Sequence, residues 1–156
     1  MPRAARLSEQ EAAHNTPESR CSGPGRAEGA MLAIRAPLPP TTNNLYFVGQ
    51  RRLVLSSAGK NYKEHVGWLT REAMRVPGSW PIQPPYAVSV HFYLENRRRR
   101  DVDGSSKVLI DGIFAALGVD DSLISDLDLH KRYDKANPRA DVVVRAASAP
   151  LLLPDK

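Results

Sequence analysis

The stretch Arg97-Arg-Arg-Arg-Asp-Val-Asp-Gly-Ser-Ser-Lys107 holds the densest set of chemically capable side chains in the sequence. Asp101 and Asp103 are two residues apart, so in an extended chain both carboxylates project to one side. Asp103 is placed to cap a following helix. Lys107, four residues on, stacks on the same helix face, and Asp111 continues the line one turn later. Two carboxylates and an ammonium so arranged meet near a helix N-terminus, which already favours anions. Hard cations such as Mg²⁺ take a few carboxylates and keep positions open for water and phosphate oxygens. A metal held there lowers the pKa of a bound water and stabilises a phosphate under in-line attack; two-metal sites, with ions about 3.5–4 Å apart, need several carboxylates to meet. Asp120-Asp121 is the source of a third. Lys107 could neutralise charge on the phosphate or position the attacking water. Arg97, Arg98, Arg99 and Arg100 would hold flanking phosphates, with Lys131 and Arg132, next to His130, as further contacts.

Plainer readings compete. An Asp-x-Asp pair before a helix also serves as a cap, and Lys107–Asp111 as an ordinary surface pair contributes only about 0.3–0.5 kcal/mol. The four arginines could be a solvated face balancing the acids beside them. A calcium loop is excluded: counted from Asp101, positions 5, 6 and 12 are Ser105, Ser106 and Gly112, where the loop needs a ligand, Gly and Glu. His14, His65, His91 and His130 show no paired ligand spacing, and no nucleophile elbow, phosphate loop or dinucleotide fingerprint is present. Trp68 and Trp80 read as packing residues.

The elements that must position these groups can be read from periodicity. Residues 1–30 have almost no large apolar side chains and are expected to be disordered, because they cannot offset their ordering entropy. Residues 31–147 form the folding unit, and 148–156 a polar-ended tail. Met31–Ala36 reads as a short strand. Pro37–Asn44 is expected to be extended or turned and not helical. Leu45–Leu55 reads as a hairpin around Val48-Gly-Gln50. Ser56 or Ser57 caps a helix running to about Arg75, with Tyr62, Val66, Leu69 and Ala73 at helical spacing. Tyr86–Leu94 alternates as a strand. A second helix then runs to about Leu117, burying Leu109, Ile110, Ile113, Phe114 and Leu117, and Gly118 closes it. Leu123–Tyr133 and Ala140–Ala146 read as two further strands. The fold class is α/β: a mixed sheet with two main helices packed on one face.

Composition narrows the partners. The chain has 156 residues, 22 Lys+Arg against 17 Asp+Glu, and a formal net charge of +5. Residues 1–30 hold four Arg and four Glu, so the whole excess lies in the folding part. A basic domain suits a polyanion, whose counterions it releases on binding. The single cysteine, Cys21, excludes an internal disulfide and a Cys-based zinc site, and is compatible with a reducing cytosol. No apolar run approaches the ~20 residues of a membrane span. A soluble, cytoplasmic protein with no membrane partner is expected.

Four motifs in register resemble the RusA family of Holliday-junction resolvases: Pro39-Pro-Thr-Thr-Asn-Asn44, Leu55-Ser-Ser-Ala-Gly-Lys-Asn-Tyr62, Arg99-Arg-Asp-Val-Asp-Gly-Ser-Ser-Lys107 and Gly118-Val-Asp-Asp-Ser-Leu-Ile124. They span about residues 31–146. The resemblance implies that Asp101, Asp103 and Asp121 are the metal-binding carboxylates and that Lys107 is the essential lysine, with Asp120 the lesser member of its pair. It implies Mg²⁺ as cofactor, with Mn²⁺ as substitute, and a homodimer that nicks paired strands of a four-way DNA junction in recombination or repair, in a bacterial or phage-infected cell. One departure stands out: Gly104 occupies a position where the family usually has Asn, and a hydroxyl of Ser105 or Ser106 could replace that amide. The alternatives are a catalytically impaired DNA-binding protein on the same scaffold, and a nuclease that prefers flaps or RNA hybrids.

Overall fold

A computed structural model describes residues 29–49, 51–97 and 102–148. The expectation for residues 1–30 therefore falls almost wholly outside the described residues, as do most of the tail and the positions of Arg98, Arg99, Arg100 and Asp101.

The element order is β1 (Met31–Ala36), α1 (Thr42–Leu45), β2 (Tyr46–Gly49), β3 (Arg52–Leu55), α2 (Ser57–Met74), β4 (Tyr86–Leu94), α3 (Asp103–Leu117), a 3-10 turn (Asp121–Leu123), β5 (Ile124–Tyr133) and β6 (Arg139–Ala146). Four strands form one mixed sheet in the order β1-β6-β4-β5, while among the described residues β2 and β3 pair only with each other. β4 and β5 run parallel, with α3 as the crossover between them, and the other neighbours are antiparallel. Alternation along β4 decides the layers: Val88, Val90, Phe92 and Leu94 are buried, and Ser89, His91 and Tyr93 face the opposite, half-exposed side. The buried side receives Val66 of α2 and the whole apolar stripe of α3, Leu109, Ile110, Ile113, Phe114 and Leu117. Tyr86 meets Phe114 edge to face, with ring centroids 5.6 Å apart.

Three local expectations need correction. Thr42–Leu45 is one helical turn, not extended chain. A proline constrains itself and the residue before it, so the run ending at Pro40 leaves Thr42 onward free to turn. Leu45 is consequently the last helical residue, fully buried, and the hairpin starts at Tyr46. Asp103 is not the cap of α3: Val102 takes that position, with no side-chain cap bond, and Ser106 N–H donates to its carbonyl at 2.8 Å. Trp68 is 55% exposed and stacks on His65. Trp80 does pack, against Tyr86.

Candidate active site

The site is built on α3. Residues four apart share a helix face, and Lys107 Nζ lies 3.7 Å from Asp111 Oδ1. The other oxygen of that carboxylate, Oδ2, faces Lys63 Nζ of α2 at 3.9 Å. One carboxylate thus bridges two ammonium groups. α2 can approach because the residue after Asp111 is glycine: a Cβ at Gly112 would lie 3.2 Å from the Lys63 carbonyl oxygen and 3.3 Å from Val66 Cγ1.

Asp121 completes the cluster from the 3-10 turn. Asp111 and Asp121 both line a depression of about 340 Å³ together with Ser106, Lys107 and Leu127. Both also line a smaller one of about 200 Å³ that includes Lys63. The pair therefore stands between two hollows, with a lysine in each. Asp120 has another task. Its carboxylate accepts the Ser122 N–H at 2.8 Å and caps the turn, and hydrogen bonding to Ser122 holds it below the ordinary carboxylate range.

The structure thus brings Lys107, Asp111 and Asp121 together. Asp103 is exposed in the first turn of α3 and does not line either hollow, and Asp101 lies outside the described residues. Ser105 and Ser106 are both buried, and their hydroxyls donate to the carbonyls of Pro40 (3.5 Å) and Asp103 (2.7 Å). Among the described residues, no three His, Cys, Asp or Glu side chains lie close enough to hold a metal. The donors present are solvent-facing carboxylates beside an open hollow, a hard-oxygen set that fits Mg²⁺ or Mn²⁺ in kind. A full ligand set would have to draw on the segment carrying Asp101.

The flanking cations divide. Arg97 is exposed, its guanidinium 5.5 Å from the Tyr133 ring centroid. Lys131 pairs in register with buried Phe92 and belongs to the helix side of β5, whereas Arg132 pairs with Tyr93 on the open side. The two-residue strand period therefore points these two cations to opposite faces of β5. The open side carries groups that the spacing of the sequence did not reveal. His91 and His130 stack with centroids 4.4 Å apart. Burial, and then the charges of His130 and Arg132, push His91 below its ordinary pKa, with Asp141 opposing. Arg139 lies over Tyr93 at 3.8 Å and pairs with Asp134 and Asp141. Lys63 was also missed, because only tertiary packing sets it beside Asp111.

The profile of the family Endodeoxyribonuclease RusA matches residues 37–145. The chain belongs to the RusA family of endodeoxyribonucleases. Crossover junction endodeoxyribonuclease RusA of Escherichia coli K12 is 28% identical over 95 residues, which cover 60% of this chain and 77% of that protein. The protein of the same name from Shigella sonnei Ss046 gives the same figures. Its namesake in Enterobacteria phage 82 is 28% identical over 94 residues, 60% and 76% of the two chains. In this RusA-family chain the matched span contains β2 through β5 and every residue of the Lys63–Asp111–Lys107–Asp121 cluster. No helix among the described residues is long and apolar enough to cross a membrane.

Proposed function

We propose that the protein is a Mg²⁺-dependent, structure-selective endonuclease that resolves four-way DNA junctions by paired nicking, acting as a homodimer. The observation that carries this reading is the convergence of Lys107, Asp111 and Asp121 at one depression on α3, within a span matched to the RusA family. Asp121 at the depression, with Asp103 drawn in from the first turn of α3 and with Asp101, would hold Mg²⁺, for which Mn²⁺ could substitute. The bound cation would supply Lewis-acid stabilisation of a phosphate under attack. Lys107, paired with Asp111, would neutralise charge developing on that phosphate. Arg97, Arg98, Arg99 and Arg100, with Lys131 and Arg132, would seat the neighbouring phosphates, fixing register without reading sequence. A four-way junction has two-fold pseudosymmetry, so two copies present two sites to two strands.

One observation favours a second reading. Gly104 lacks the amide the family usually has there, and the Ser105 and Ser106 hydroxyls donate to backbone carbonyls. A chain so altered would bind junctions and fail to cut them.

The test incubates an end-labelled four-way junction and a matched linear duplex with the protein, in Mg²⁺ or in EDTA. Symmetric nicking of the junction alone, abolished by EDTA, is the expected result. Tight junction binding without nicking in either Mg²⁺ or Mn²⁺ selects the second reading, and cleavage that persists in EDTA overturns the metal site.

A further inference from the structure

The β2–β3 hairpin stands apart from the four-stranded sheet, and the cross-strand pair next to its last one is apolar. Val48 and Leu53, paired across the two strands, are 78% and 74% exposed. Phe47, on the opposite face of the hairpin, is 53% exposed, its ring folded over Gly49. Beside them sit Arg51 and Arg52, both exposed. Arg51 has φ of +67°, a left-handed conformation that favours glycine, so the hairpin turn carries a charged side chain where glycine would be less strained.

The root is fixed. Ser56 N–H donates to the Leu45 carbonyl at 2.7 Å, and the Ser56 hydroxyl caps α2 through Gly59 N–H. A Cβ at Gly59 would sit 2.6 Å from Leu55 Cδ1, so hairpin and helix meet without slack. The root also lies beside the candidate site. Ser105, in the first turn of α3, donates to the Pro40 carbonyl immediately before α1. Lys63, which faces Asp111, is only two turns into the helix that Ser56 caps. Four-residue strands at about 3.3 Å per residue let the tip project about 13 Å from that root, far enough to reach into a groove of DNA held at the site.

We infer that this hairpin is a wedge that enters the branch point of junction DNA, with Val48 and Leu53 against unstacked bases and Arg51 and Arg52 on adjacent phosphates. This rests on the reading of the protein as a junction nuclease and names the element that selects branched over linear DNA. Apolar side chains inserted between base steps are a recurrent way of opening a duplex, and an opened base is cheapest to reach where stacking is already interrupted. Charge selects DNA over a second copy of the chain. Residues 29–63 contain no Asp or Glu and five cations, Arg35, Arg51, Arg52, Lys60 and Lys63. Two hairpins packed symmetrically would bring arginines together with no acid of their own to pair them.

The test places 2-aminopurine at the branch point of a four-way junction and follows its fluorescence in EDTA, alongside nicking in Mg²⁺, with the full-length chain. The wild type should raise the fluorescence on the junction and not on linear duplex. The double variant Val48→Ser/Leu53→Ser, altered only at exposed positions, should bind without that rise and nick about tenfold more slowly or worse. Arg51→Gly, which relaxes the backbone, should keep the rise while lowering the slope of log affinity against log salt by about one. Unchanged fluorescence and nicking in the double variant would overturn the wedge, as would its conversion from dimer to monomer by light scattering, which would make the tip an interface. Nicking by the wild type with no fluorescence rise would likewise sink the wedge and leave the nuclease reading standing. A rise that depends on Val48 and Leu53 without any nicking would leave the wedge and sink the nuclease.

Discussion

Replacing Asp111 by Asn separates a positioning role from a structural one. The Asp111 side chain is 27% exposed, and its two partners, Lys107 at 3.7 Å and Lys63 at 3.9 Å, are 68% and 36% exposed. Pairs in such surroundings each contribute about 0.3–0.5 kcal/mol, so losing both costs about 1 kcal/mol. That is a small part of the roughly 5–15 kcal/mol that stabilises a domain. Urea unfolding should therefore show a small shift in midpoint at unchanged slope. The effect on chemistry should be larger. Without its carboxylate partner the Lys107 ammonium is spread over several rotamers, and a tenfold fall in kcat corresponds to about 1.4 kcal/mol. KM should stay level or fall, because a negative charge near the phosphate path is gone. Single-turnover nicking measured against junction concentration reads both quantities. An unchanged kcat would refute the positioning argument, and a stability loss above about 3 kcal/mol would show instead that the bridge holds α2 to α3.

Three further outcomes are expected. Asp103→Asn should abolish nicking while gel-shift affinity for the junction is kept or improved, since one repulsion from phosphate is removed; near-wild-type cutting would discard Asp103 as a ligand. Gly112→Leu should lose about 1–3 kcal/mol in urea unfolding, because the new side chain meets the backbone of Lys63 and overpacks the α2–α3 contact. Stability should decline as pH falls below about 4. Asp134, through its hydrogen bond from Arg139, and Asp120, through Ser122, are held below the ordinary carboxylate range. Their contribution is therefore present above the unfolded-state pKa and vanishes as each is protonated. Thermal melts of Asp134→Asn should show a lower midpoint near neutrality and a shallower acid slope than the wild type.

What was legible in the sequence was what local physics encodes. The stripe Leu109, Ile110, Ile113, Phe114 and Leu117 announced the buried face of α3, Gly118 its left-handed end, and Tyr86–Leu94 its strand to the residue. The i,i+4 relation of Lys107 and Asp111 followed from the same periodicity. Illegible were the groups joined only by packing and register. Lys63 reaches Asp111 because Gly112 lets two helices close in. His91 and His130 meet because β4 and β5 pair in parallel. The turn Thr42–Leu45 was hidden behind prolines whose influence stops at Pro40.

The order β1-β6-β4-β5 has a consequence for how the protein is made. Its last strand lies in the middle of the sheet, and among the described residues β1 pairs with no other strand. During synthesis every candidate site residue through Arg132 leaves the ribosome before Arg139 begins β6. A chain interrupted in that interval carries the full set of side chains and no strand to join β1 to β4. Unfinished copies thus lack the strand around which the rest of the sheet is assembled.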